Sequence, residues 1–245
     1  MPRTMWLGAV NVVHEIWRGP IRDTAIDKRP VQGAVHVGKL GLDGDRQCDT
    51  RNHGGTDKAL YAYATEDSSW WADELGRDIP PGLFGENLTT QGLDVTGALI
   101  GERWRIGDPD CGVLVEVRLP RTPCENLSAR MGDPQFHRRF TASRRVGAYL
   151  KVLEPGAIAA GDPIEIAFRP DHDLTIGGYF DPPDPYRMRR VLESGIDLAA
   201  TIRRRAQRQA ERETTRSHSA SRAARAGTSG SGASTSRASS ARFRT

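Results

Sequence analysis

The chain has 245 residues, 37% of them hydrophobic and 7% aromatic, enough to bury one good-sized core or one core with a small appendage. No apolar run approaches the roughly 20 residues of a membrane span, and the opening "MPRTMWLGAVNVV" lacks the h-region and cleavage site of a signal peptide, so a cytoplasmic protein without a membrane partner is expected. The net charge of +4 is local: eleven arginines against Glu211 and Glu213 give +9 to the stretch from Arg203 to Thr245, leaving −5 for the rest, while three cysteines with no CxxC argue against a disulfide framework or a structural zinc site.

In chain order, the first 170 residues read as short apolar or alternating runs broken by glycine, proline and aspartate. The runs are "LGAVNVV" (7–13), "ALYAYA" (59–64), "ALIGERWRI" (98–106), "VLVEVRL" (113–119), "AYLKVL" (148–153) and "IEIAF" (164–168), with turn chemistry in "IGDPDCG" and "AGDPIEI". So many short strands predict a mainly β fold, a closed or nearly closed β-barrel over residues 1–172. One amphipathic helix interrupts it: Thr65 is placed to cap "EDSSWWADEL", Gly76 to end it, and Trp70 and Leu75 to face the core. After Pro182-Pro183, "DPYRMRRVLESG" and "IDLAATIRRRAQRQAERE" predict a small helical appendage over 173–213. From 214 to 245 the chain is Ser, Arg, Ala and Gly with almost nothing to bury, which predicts disorder. Such a tail offers salt-sensitive, sequence-independent contact to nucleic acid, without the interleaved aromatics of a base-stacking surface.

Three patches carry chemistry. In "LPRTPCENL", Thr122-Pro123-Cys124-Glu125 has the form of a capping box with proline at the first helical position, which starts a short helix directly after a strand. Cys124 then occupies N2, where unpaired N–H groups, the helix dipole and Arg121 favour a thiolate that attacks electrophiles or ligates metals. A small buried hydrophobe is the other reading of Cys124, and the one kept for Cys48 and Cys111.

In "GLDGDRQCDTRNHGGTDKALYAYA", His53 stands beside Gly54 and Gly55, whose amides can approach an anion closely, with Lys58 near; the same residues also make a tight turn. Asp43 and Asp45 read either as turn residues or as functional carboxylates. In "PPGLFGENLTTQGLD", Gly85, Glu86 and Asn87 can hold a ring heterocycle by paired hydrogen bonds or cap a loop.

These patches, in this order and together with "GERWRIG" and "GAYLKVLEPGAIAAGDPIEI", resemble the MOSC domain, and more closely its YiiM subfamily. The likeness runs from about residue 5 to 170, and the stretch behind it looks like the three-helix appendage that often follows. The resemblance implies a MOSC-type β-barrel that binds the molybdenum cofactor (molybdopterin), with Cys124 of the PRxPC element as molybdenum ligand, and reduction of N-hydroxylated compounds such as hydroxylaminopurines and amidoximes. A soft thiolate suits such a centre.

His53 is the first candidate for proton transfer, with Glu86 and Asp45 behind it, and Lys58 and Arg121 are candidates for the cofactor phosphate. Three cysteines and no GxGxxG after a strand leave electron supply to a separate electron-donor protein. A carrier of persulfide or cofactor without turnover is the alternative, followed by a cysteine hydrolase pairing Cys124 with His53. "RRVG" at 144–147 departs from a glycine-rich turn of the relatives, and a change at the pocket rim is expected from it.

Overall fold

The computed structural model describes residues 4–48, 54–182 and 184–211. His53 and the tail from 214 lie outside the described residues.

The chain enters as β1 (Trp6–Arg18), which folds back on β2 (Asp23–Pro30) as an antiparallel hairpin bulged between Val13 and Trp17. Short β3 (Val35–Gly38) and β4 (Gly41–Leu42) follow, then a single 3-10 turn over Thr56–Lys58 and the wholly buried β5 (Leu60–Ala64). Helix α1 (Thr65–Leu75) connects β5 to β6 (Leu88–Gln91), which runs parallel to it, the crossover a parallel pair requires. Next come β7 (Arg103–Ile106), β8 (Val113–Pro120), α2 (Glu125–Met131), α3 (Phe136–Ser143), β9 (Ala148–Glu154), β10 (Gly156–Ile158) and β11 (Ile164–Phe168). Eight strands form one sheet in the order β11-β7-β8-β9-β5-β6-β1-β2, and β10-β3-β4 form a second.

Of the closed or nearly closed barrel expected from the sequence, the closed form is absent among the described residues. The large sheet curls until β1 meets the approach to β11, but the seam is one bridge, Trp6 to Pro163, with three backbone bonds: Leu7 N to Asp162 O (2.8 Å), Gly161 N to Leu7 O (2.7 Å) and Ile164 N to Met5 O (2.9 Å). The ladder stops there because the partner chain turns away. Gly161 takes a left-handed φ of 95°, and Asp162 binds back on Ala159 through its amide (3.2 Å) and its side chain (2.8 Å). β2 is left as a free-standing edge beyond β1, and it forms one wall of the cleft described below.

Behind that cleft lies an aromatic cluster in which Trp71, Tyr63, Phe84, Phe136 and Phe140 are all almost fully buried. Phe140 lies 5.1 Å from Phe84, 5.6 Å from Trp71 and 5.8 Å from Tyr63, centroid to centroid, so α1, β5 and α3 share one apolar block. Trp71 is the deeply buried tryptophan of α1, while Trp70 and Leu75 pack at the cluster's margin. Thr65 is the first helical residue and not the cap, and Gly76 closes the helix in the left-handed region as expected.

The C-terminal stretch contains α4 (Pro185–Glu193), capped by Asp184 through Tyr186 N (2.9 Å) and Arg187 N (3.4 Å), and a last helix over 200–211. Met188, Val191, Leu198, Ile202 and Ala206 bury into the same hydrophobic cluster as the strands. Buried Arg118 on β8 also reaches this stretch, binding Asp197 through its carbonyl and its carboxylate. Among the described residues no helix is long and apolar enough to cross a membrane.

Candidate functional site

A single cleft gathers side chains from β2, the loop after β4, the 3-10 turn, β5, the turn before β6, the end of β8, α2 and β9. It has about 680 Å³ of space between its walls, counting the part open to solvent. Of the residues singled out from sequence, Asp45, Lys58, Gly85, Asn87, Arg121 and Cys124 line it. Gly54, Gly55 and Glu86 do not.

Cys124 sits at the strand-to-helix junction, but not where the capping box puts it. α2 begins at Glu125, so Cys124 is the N-cap residue, extended at φ −129° and ψ 175°, and no side chain caps the helix. Thr122 and Pro123 remain part of the strand exit. The half-buried thiol therefore faces the cleft from a helix of seven residues, and the N2 position expected for it is corrected.

Opposite stands Lys28 on β2, 7% exposed, with its ammonium on both oxygens of Asp45. Asp45 is tied further: Oδ1 accepts from Val13 N (2.9 Å) and Oδ2 from Asn87 Nδ2 (2.8 Å). It is thus the node that fixes the loop after β4 to β1, β2 and the turn before β6. Burial pushes the Lys28 pKa down, with the Asp45 carboxylate opposing it. Asn87 spends both amide donors on protein, to Asn11 O (3.3 Å) and Asp45, and its oxygen accepts from Tyr61 N (3.1 Å), so it stitches strands where it lines the cleft.

Arg121, 5% exposed, donates to Phe84 O and stacks over the Tyr61 ring at 4.8 Å, with its Nε unpartnered. Tyr61 packs 5.5 Å from Tyr149, and the Lys58 ammonium lies 5.6 Å over the Tyr149 ring. The two residues assigned to a phosphate therefore stand at the two ends of a tyrosine pair on one wall. The Tyr61 hydroxyl donates to Val146 O (2.8 Å), and burial drives its pKa up.

Glu86 works from behind the wall. Its Oε1 accepts from Gly82 N (2.6 Å) and Thr89 Oγ1 (3.1 Å), Oε2 has no partner, and burial pushes its pKa up against those bonds. It braces a turn that must lie flat on β2: Gly82 has φ 84° with no room for a Cβ above the Lys28 carbonyl, and a Cβ on Gly85 would meet Ile26 Cγ1 at 2.8 Å. Gly55 (φ 88°) gives its amide to Gln47 Oε1 (2.9 Å), so this half of the expected anion nest is used within the protein. Arg144 and Arg145 pair with Asp181 and Asp67 and do not line the cleft, while the other half of "RRVG" backs its wall: Val146 O accepts from the Tyr61 hydroxyl and Gly147 O from the Arg121 amide (3.3 Å).

Compared with known proteins, residues 49–165 match the MOSC domain. Protein YiiM of Escherichia coli (strain K12) is 33% identical over 159 residues, which is 63% of this chain and 68% of that protein. The chain belongs to the MOSC family. The crystal structure of YiiM from Geobacillus stearothermophilus superposes with a TM-score of 0.67 at 28% identity, covering 84% of this chain and 98% of that one. A protein named "Reductase" from Gibberella moniliformis (strain M3125 / FGSC 7600) is 33% identical over 154 residues, 60% of this chain but only 26% of that much longer protein. MOSC domains are associated with molybdenum-cofactor binding, and a cofactor-related function follows for this member.

Sequence reasoning missed several walls of the MOSC cleft: Lys28, Tyr61, Tyr149, Asn126, Arg46 and Cys48. Tyr61 lies inside a recognised patch and reads there only as part of the run "ALYAYA" (59–64). Asn126 follows Cys124 by two residues and is 7% exposed, with Oδ1 unpartnered. Cys48, read as a small buried hydrophobe, is half-buried on the wall, and burial raises its pKa while Arg46 pulls it down. Cys111 is exposed in a turn whose amides bind Asp108, so the buried-hydrophobe reading kept for it is corrected.

Proposed function

We propose that this MOSC protein is a molybdenum-cofactor-dependent reductase of N-hydroxylated compounds, with Cys124 as the protein ligand to the metal. The observation that carries the reading is the convergence on one cleft of a half-buried thiol and the cations Lys28, Arg46, Lys58 and Arg121, against Asp23 and Asp45 among the described residues. The cofactor brings its own sulfur ligands and a phosphate, and its needs fit this donor set. One soft thiol completes the metal's coordination, and an excess of positive charge, including the unpartnered Arg121 Nε, receives the anion. Among the described residues no three His, Cys, Asp or Glu side chains form a metal site of their own, so the metal would arrive with most of its ligands.

When bound, the cofactor supplies a two-electron centre. The chain supplies the rest. Tyr61 and Tyr149, their rings tilted 46° to one another, give the cleft an aromatic wall against which an amidine or purine can pack. Arg121 and Lys58 fix the anion from the two ends of that wall. A separate electron-donor protein restores the electrons, and a small N-hydroxylated molecule is the substrate.

The test is to purify the full chain from a cofactor-competent host and measure molybdenum and pterin with and without Cys124→Ala. Near-stoichiometric metal in the wild type and at least a tenfold loss in the variant are expected. Reduction of an N-hydroxylated base or amidoxime by the wild type with chemical electron donors should follow. Bound cofactor with no turnover on any such substrate would favour the carrier, and no cofactor at all would end the reading.

A further inference from the structure

Lys28 is buried deeply enough that a purely structural lysine would be expected to spend all of its donors on protein. An ammonium has three N–H groups, and the Asp45 carboxylate, its partner, offers two oxygens, each already bonded elsewhere, Oδ1 to Val13 N and Oδ2 to Asn87 Nδ2. Lys28 also lines the cleft, together with Cys124. A third donor is therefore available to whatever occupies the space between them.

The charged groups facing Lys28 are Asp45 from the loop after β4, Glu86 from the turn before β6, Arg121 from the end of β8 and Cys48 from the cleft wall. Burial weakens its hold on the proton, Asp45 and Glu86 strengthen it, and Arg121 weakens it again, with a net displacement downward. Such a lysine releases its proton more readily than a free one.

We propose that Lys28 donates a proton to the oxygen that leaves the nitrogen of an N-hydroxylated substrate bound in this cleft, with Asp45 and Asn87 as the residues that position it. This rests on the reductase reading above. The step balances as follows. A hydroxylamine R–NH–OH takes two electrons from the separate electron-donor protein, and the N–O bond breaks. One proton passes from Lys28 Nζ to the oxygen, which departs as water, and one proton from solvent completes R–NH₂. The neutral Lys28 is recharged from solvent at the cleft mouth, with Asp45 favouring the charged form.

Two measurements on the full chain test it. In the cofactor-free protein labelled with carbon-13 at lysine Cε, the Lys28 signal, assigned by its loss in Lys28→Arg, should titrate below the ordinary lysine value of about 10.4, and lower still in Asp45→Asn. A Lys28 midpoint in the ordinary range would overturn the proposal. In the loaded protein, Lys28→Arg keeps charge and donors but cannot release a proton, so kcat should fall by about 100-fold or more with metal and pterin content unchanged. A rate within about threefold of wild type would make Lys28 a charge contact only, and loss of cofactor would make it an anchor for the cofactor. Either result sinks the proton-donor role while leaving the reductase reading intact. Wild-type protein that is loaded yet reduces no N-hydroxylated substrate sinks the reading itself, and the proposal with it.

Discussion

Replacing Asp45 by Asn leaves Lys28 in place but takes away the charge that compensates it. The two side chains are 8% and 7% exposed, so this is a buried pair and not a surface bridge. Removing one partner of such a pair costs about 3–5 kcal/mol, because the other charge stays buried and uncompensated. For a chain of this size, about 2–4 °C of melting temperature goes with each kcal/mol, so Asp45→Asn should melt about 6–20 °C below wild type at neutral pH. The loss should shrink as pH rises. With its folded pKa below the unfolded 10.5, Lys28 binds fewer protons folded than unfolded in that window, so raising pH through it favours the fold, and more so once Asp45 is neutral. The double variant Lys28→Met, Asp45→Asn should recover to within about 1.5 kcal/mol of wild type, since replacing both members of a buried pair is often nearly neutral. Urea melts of the four proteins of this cycle, at pH 7 and near pH 10, measure all three quantities. A single-variant loss under about 1 kcal/mol, or a double variant no better than the single, would refute the view that Lys28 is held charged by Asp45.

Two further outcomes follow from buried charge elsewhere. Glu86 has its folded pKa raised above the usual 4.5, so the folded state keeps its proton longer and stability falls as pH rises from about 4.5 through the folded value; Glu86→Gln should flatten that part of the stability–pH curve, and an unchanged slope would assign it to another group. Arg118→Met removes one of two arginine partners of buried Glu116 (2.5 Å), which keeps Arg103 (2.9 Å), together with the partner of Asp57 (2.8 Å), and should cost about 1.5–3 kcal/mol in a urea melt. It should also speed hydrogen exchange at the Lys58 amide, which is bonded to Gly55 O (3.0 Å) in the turn that Asp57 anchors, whereas exchange unchanged there would uncouple the two.

What the sequence made legible follows from which forces leave a local trace. β1, β5, β8, β9 and β11 are apolar or alternating runs, and each emerged within a few residues of its expected place. β2 did not, because "DTAIDKRP" reads as polar; only its register on β1, Asn11 opposite Pro30 through Arg18 opposite Asp23, makes it a strand. β6, four residues of "LTTQ", is a strand because β5 runs parallel beside it. In "ALIGERWRI" only the last four residues extend, since Gly101 turns at φ 87°. α3 hides because its apolar face is little more than Phe136 and Phe140, one turn apart among polar residues. The location of Cys124 was legible and its cap was not: Pro123 favours extension in the residue before it as readily as it starts a helix.

The same distinction explains the site. Arg121, Cys124, Gly85 and Lys58 belong to local patterns with recognisable chemistry, and they converge on one cleft. Lys28 has no such pattern. It is a lysine in a polar strand, and it becomes a buried cation only because β2 stays at the sheet edge, where the turn Gly82–Gly85 lies across its backbone and Asp45 is delivered from another loop. A barrel closed through β2 would have spent that edge on another strand's hydrogen bonds. The open seam at Trp6 and Pro163 and the cleft at Lys28 are thus two consequences of one arrangement: the sheet is joined by a single bridge at β1, and the strand beyond it serves as the wall that faces Cys124.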